Sequence, residues 1–133
     1  MLLGIGTDLM HLARLRALLA RRAPQHLAAR ILSAPELVEW TDPHAERDTK
    51  AVERYLSLRW TAKEAAYKAL YPRYKPTWKD LVVTKRDKKP RLDFSPAFVA
   101  KQSHDAGLDK VKMHLSVSHD GDFMVAHVVV EAE

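Results

Sequence analysis

Residues 110–131 read KVKMHLSVSHDGDFMVAHVVVE, and their pattern decides the class of fold. Val111, Met113, Leu115 and Val117 alternate with Lys112, His114, Ser116 and Ser118, the period-two signature of a strand buried on one face. The following run, FMVAHVVVE, is apolar almost throughout, as suits a strand with neighbours on both sides, and the Asp120-Gly121 step between the two signals a hairpin. Helical stretches elsewhere do not alternate regularly with strands. The expected architecture is therefore α+β, a single domain over residues 1–133 with a mainly antiparallel sheet packed against a long central helix.

Outward from that hairpin, the chain opens on another strand, LLGIGTDLMHL at residues 2–12. Alternate residues share a face, so Leu3, Ile5 and Thr7 line one side while Gly4, Gly6 and Asp8 line the other. Glycine weakens a strand unless another backbone or a ligand must come close. The pattern predicts a cleared groove with an acid at its end. Helices follow over residues 11–23 and 25–32, and then Ser33 and Glu36 form a capping box around Pro35. The longest helix is expected over residues 48–71, between an Asp48 or Thr49 cap and Pro72. Two short strands, DLVVTK and RLDF, flank the lysine-rich turn RDKKP, and Ser95-Pro96 opens a helix expected to end near Gly107.

The chain has no cysteine, which excludes disulfides, thiolate nucleophiles and thiolate zinc sites. No apolar run reaches the roughly 18 residues of a membrane span, and a strand, not a signal peptide, begins at the amino terminus. These features predict a soluble intracellular protein of the cytoplasm or mitochondrial matrix, with no membrane partner. The net charge of +5 is concentrated: Arg14, Arg16, Arg21, Arg22 and Arg30 lie between Met10 and Leu32, where there is no acid. Such a surface favours an anionic partner.

Chemistry concentrates in three stretches. In RWTAKEAAYKAL, residues 59–70, Glu64 and Lys68 share a helix face, as do Arg59 and Lys63. Taken alone, Glu64 and Lys68 read as an ordinary helical ion pair, and Asp8 as a cap for the next helix. If Asp8 and Glu64 instead enter one groove, their charges repel, and a magnesium ion held by hard carboxylate oxygens, waters and substrate phosphates resolves the conflict. The third stretch is LSVSHDGD, where His119 has the parity of the core-facing row. Taken alone it is a strand-end histidine bonded to a turn. No glycine-rich phosphate loop, nucleophile elbow or dinucleotide fingerprint is present, so phosphate handling falls to lysine, arginine, histidine and a metal.

Together GIGTD, WTAKEAAYKA and SVSH resemble, in order and spacing, the holo-(acyl-carrier-protein) synthase family of 4′-phosphopantetheinyl transferases. The resemblance spans nearly the whole chain, with weaker echoes in ARILSAPEL and TWKDLVV. It implies transfer of the phosphopantetheine arm of coenzyme A to a serine of an apo acyl carrier protein, leaving adenosine 3′,5′-bisphosphate. In family terms Asp8 and Glu64 are magnesium ligands and Lys68 lies beside the transferred phosphate. His119, with Arg59 and Lys63, meets coenzyme A, Arg14 docks the carrier, and the chain forms a homotrimer with sites between protomers. The base that takes the serine proton stays open among Glu64, a metal-bound water and Asp120. The carrier's pathway, fatty acid, polyketide or another, stays open too. The chain departs from the family where LYPRYKPTWKD replaces a glycine-rich turn and where Asp120 stands in place of a hydroxyl residue. Two other readings compete: a basic nucleic-acid-binding domain, disfavoured because the strands lack a base-stacking aromatic pair, and a catalytically silent relative.

Overall fold

The period-two runs become strands and the apolar helical faces become helices in a computed structural model that describes residues 1–45 and 48–133. In chain order the elements are β1 (Leu2–His11), α1 (Leu12–Arg21), α2 (Pro24–Ile31), α3 (Ala34–Trp40), α4 (Thr49–Leu70), β2 (Leu81–Arg86), β3 (Lys89–Phe94), α5 (Pro96–Lys101), β4 (Val111–Asp120) and β5 (Phe123–Ala132). Single 3₁₀ turns at Trp78–Asp80 and Leu108–Lys110 precede β2 and β4.

The strands form two antiparallel sheets: β5 lies between β1 and β4 in one, and β2 pairs with β3 in the other. The nearly apolar strand is thus the central one. The two-residue loop of the β4–β5 hairpin is Gly121–Asp122, one step later than the Asp120-Gly121 signal, because Asp120 pairs with Phe123. Gly121 takes the positive φ of 55° that its first loop position requires.

Helix α4 is the spine. Asp48 accepts from the Ala51 N–H as its N-cap, and the helix ends at Leu70, two residues before Pro72. It lies against β1, and this contact explains the glycines. A Cβ on Gly4 would stand 2.0 Å from the Ala69 carbonyl oxygen, and one on Gly6 would stand 2.0 Å from that of Ala65. The cleared face of β1 admits a helix backbone, with Ala65 and Ala69 one turn apart as its small counterparts. The opposite face, bearing Ile5 and Leu9, is exposed.

Two apolar clusters meet along α4. One joins its second half to β2, β3, α5, β4 and β5; the other joins Leu56 to α1, α2, α3, Met10 and Met124. Helix α5 is shorter than the expected run to Gly107. The Asp105 carboxylate accepts from the Gly107 N–H and from the Tyr74 hydroxyl, and such local side-chain bonds draw residues 102–107 into turns. Tyr74 belongs to the divergent segment after α4, which is anchored by this buried aromatic ring between Phe94 and Phe98.

Candidate active site

Strand β1 does not stop at Asp8. It runs on to His11, which is the residue that precedes α1, so Asp8 is a mid-strand carboxylate and not a helix cap. Paired with Ala126 of the central strand, Asp8 points to the α4 side of the sheet. There the Lys68 ammonium donates to Asp8 Oδ1 at 3.2 Å and to the Thr7 carbonyl oxygen at 2.9 Å. Lys68 therefore crosses between elements to reach Asp8.

Glu64, one turn before Lys68, shares a cleft of about 510 Å³ with Asp8, Met10, Arg14, Arg21 and Trp60. Burial pushes its carboxyl above the usual carboxylate range, the nearby Asp8 charge pushes it further, and Lys68 opposes both. This is the electrostatic mark of two acids sensing each other in a confined space. Two hard-oxygen donors with a mutual repulsion suit a small divalent cation such as Mg²⁺, which takes one or two protein carboxylates and fills its other positions with water and phosphate oxygens. Among the described residues no third histidine or acid joins them to form a fuller metal cluster.

The other expected site residues fall in different places. Arg14 lines the Asp8–Glu64 cleft from α1. Arg59, itself buried at 3% exposure, borders a second cleft of about 570 Å³, together with Tyr55 and Lys85. Its guanidinium stacks 3.6 Å from the centroid of the Tyr55 ring, and Nη1 donates to the Tyr55 carbonyl oxygen at 3.3 Å. His119 is exposed on β4, paired with Met124 one step before the last pair of the hairpin, and lines neither cleft.

Lys63, expected at coenzyme A, is instead enclosed: only 1 % of its side chain is exposed. Its ammonium donates to Glu36 Oε1 at 2.5 Å, to the Ile31 carbonyl oxygen at 2.8 Å and to that of Trp78 at 3.0 Å. Three acceptors use all three of its protons, which leaves none for a ligand. Burial lowers its pKa, while Glu36 opposes that shift.

Glu36 itself exceeds the capping role that its spacing announces. It accepts from the Ser33 N–H as a cap should, and its second oxygen accepts from the Val83 N–H of β2 at 2.8 Å. Nothing local in SAPE marks the pairing with β2 and α4. Trp60 and Arg21 were also outside the expected site, although Trp60 opens the WTAKEAAYKA stretch and Arg21 belongs to the acid-free basic run.

Among the described residues no helix is long and apolar enough to cross a membrane. The model of the 4′-phosphopantetheinyl transferase superfamily matches residues 4–116. The holo-[acyl-carrier-protein] synthase of Thiobacillus denitrificans is 38% identical over 138 residues, covering 98% of this chain and 95% of the relative. That of Anaeromyxobacter dehalogenans strain 2CP-1 is 34% identical, covering 98% and 97%. The crystal structure of the Neisseria meningitidis holo-[acyl-carrier-protein] synthase superposes with a TM-score of 0.77 at 30% identity, covering 98% of this chain and 99% of that one. A Bacillus anthracis holo-(acyl-carrier-protein) synthase in complex with CoA (3′,5′-ADP) superposes with a TM-score of 0.71 at 27% identity, covering 100% and 99%.

Proposed function

The chain belongs to the 4′-phosphopantetheinyl transferase superfamily, and from that premise we propose that it is a holo-(acyl-carrier-protein) synthase, moving 4′-phosphopantetheine from coenzyme A to a serine of an apo acyl carrier protein and releasing adenosine 3′,5′-bisphosphate. The observation that carries this reading is the meeting of Asp8 and Glu64, from two elements far apart in sequence, at one cleft, with Lys68 paired to Asp8.

In the transfer, the serine oxygen forms a bond to the phosphorus that carries pantetheine, the bond from that phosphorus to the bridging oxygen breaks, and the serine proton is lost. Such a reaction needs charge neutralisation and in-line positioning more than covalent help. Asp8 and Glu64 would hold Mg²⁺, which when bound supplies neutralising charge to the diphosphate. Lys68, already directed at Asp8, offers a cation beside the same oxygens. The base that takes the serine proton is one of Glu64, a metal-bound water and Asp120. The second cleft, where Arg59 is fixed on Tyr55, is the candidate place for the nucleotide phosphates. Arg14 stands at the rim of the Asp8–Glu64 cleft on the acid-free helix and would meet the carrier.

The exposed sheet face supports self-association as a homotrimer. Across it run the rows Leu9–Val125–Ser118, Thr7–His127–Ser116 and Ile5–Val129–His114, with apolar pairs Leu9–Val125 and Ile5–Val129 on either side of the hydrogen-bonded Thr7–His127 pair, and polar residues along β4. Ile5 and Leu9 are 70% and 63% exposed in the single chain, and an apolar patch of this kind marks an interface. Assembly would also bring His119, which is away from both clefts in its own chain, to a nucleotide held by a neighbour.

The deciding experiment is incubation with coenzyme A, Mg²⁺ and an apo acyl carrier protein, read by intact-mass spectrometry. One added phosphopantetheine on a carrier serine is expected. A folded chain that leaves the carrier's mass unchanged would refute the assignment and favour a silent relative.

A further inference from the structure

We propose that Glu36 is a positioning residue for both clefts: from inside the fold, one buried carboxylate sets the orientation of Arg59 toward one and the placement of the Glu64 turn beside the other. The inference rests on the assignment of Arg59 and Glu64 to coenzyme A handling.

Glu36 is fully buried and contacts Tyr55 and Arg59, which line one cleft, and Lys63, the chain neighbour of Glu64 at the other. Its backbone carbonyl accepts from the Tyr55 hydroxyl at 2.7 Å, and Tyr55 is the ring on which the Arg59 guanidinium lies. Its carboxylate Oε2 stands 3.9 Å from Arg59 Nε, a buried donor with no hydrogen-bond partner among the described residues. The ring below and the acid beside it leave that guanidinium one orientation. Through Oε1 the same carboxylate holds Lys63, whose ammonium ties α4 to the Trp78 carbonyl. Trp78, Thr77 and Tyr67 form a cleft of about 260 Å³ with Glu64 and Lys63. The Lys63 tether therefore sets the spacing between the turn that bears Glu64 and the wall opposite it.

A buried ion pair adds little net stability compared with well-packed apolar groups, whereas removing one partner strands a charge and is strongly destabilising. The test therefore changes both partners. In the Glu36→Gln, Lys63→Met double variant the amide oxygen can still accept a backbone N–H, and no buried ammonium is left without its carboxylate. The quantities measured are kcat and KM for coenzyme A with a saturating apo carrier, and the Kd for adenosine 3′,5′-bisphosphate by calorimetry, all well below the variant's melting midpoint. A folded double variant whose KM and Kd both rise roughly tenfold or more is expected, the range typical when the partners that orient contacting groups are lost. A merely structural pair predicts a folded double variant with wild-type KM, kcat and Kd, and that result overturns the inference. If the double variant does not fold, Lys63→Arg replaces it: the charge pair remains, but a planar guanidinium cannot reproduce the donor geometry to Ile31 and Trp78. The same rise is expected there, and wild-type constants again overturn the proposal. A wild-type chain that binds no coenzyme A refutes the functional reading and this inference together, whereas an active wild type matched by its variants refutes the inference alone.

Discussion

Glu64 illustrates how one side chain's surroundings turn a common residue into a site. Its carboxyl is held above the usual range mainly by burial and then by Asp8, so its ionised form is disfavoured in the folded chain relative to the unfolded one. A raised folded value means that the penalty is absent below the unfolded value and complete once pH has risen through the folded value. Without divalent ions, Glu64→Gln should therefore melt above the wild type at pH 7, with the gain vanishing as pH falls below the ordinary carboxylate range. Thermal melts across pH check this; an equal or lower melting midpoint at pH 7 would show that Asp8 and burial do not act as described. Asp8→Ala should reduce Mg²⁺-dependent transfer by at least about 10³-fold while leaving the far-ultraviolet dichroism unchanged, because it removes a charge-positioning group and leaves no buried partner stranded. Wild-type turnover in that variant would exclude Asp8 from the metal.

For the secondary-structure elements, the decisive contact is between β1 and α4. The substitution Gly6→Ala puts a methyl group 2.0 Å from the Ala65 carbonyl oxygen and 2.7 Å from the Ala69 amide nitrogen, and both are backbone atoms that cannot rotate away. We expect a loss of about 3 kcal/mol or more in urea unfolding, together with lost activity, since Asp8 and Glu64 sit on the two elements forced apart. Unchanged stability would mean that the glycines serve a ligand and not the helix. Helix α1 gives a different prediction. Arg14 lines the cleft from outside the core, and Arg14→Glu should raise KM for the carrier about tenfold, flatten its salt dependence and leave KM for coenzyme A near wild type. An equal rise in both constants would place Arg14 at the nucleotide and not at the carrier.

Across the whole molecule, the uncovered face of the three-stranded sheet makes the strongest demand. Ile5 pairs with Val129 in one of its two apolar rows and points away from the chain's own core. In the proposed homotrimer, Ile5→Asp should convert the chain to monomers in light scattering with the fold retained, and it should lower transfer activity if a neighbour's His119 completes the site. An Ile5→Asp chain that remains fully assembled would mean that another surface joins the copies.

Much of this was legible in the one-dimensional pattern, because strand and helix periods, caps, the hairpin signal and the order GIGTD, KEAAYK, SVSH depend on neighbours close along the chain. Those features determined the α+β class, the central place of β5, the length of α4 and the candidate acids. Only the tertiary structure decided which partner each polar group takes. Helical spacing presents Glu64 as the natural mate of Lys68, yet Lys68 reaches Asp8 across the cleft. It also gives Arg59 and Lys63 a common face, yet it does not show that both are buried beside Glu36, Lys63 hydrogen-bonded to it and Arg59 stacked on Tyr55. The physical reason is that a helix fixes the direction of its side chains, whereas burial and pairing depend on what packs against that direction, and here the packing is set by two glycines that let α4 close on β1.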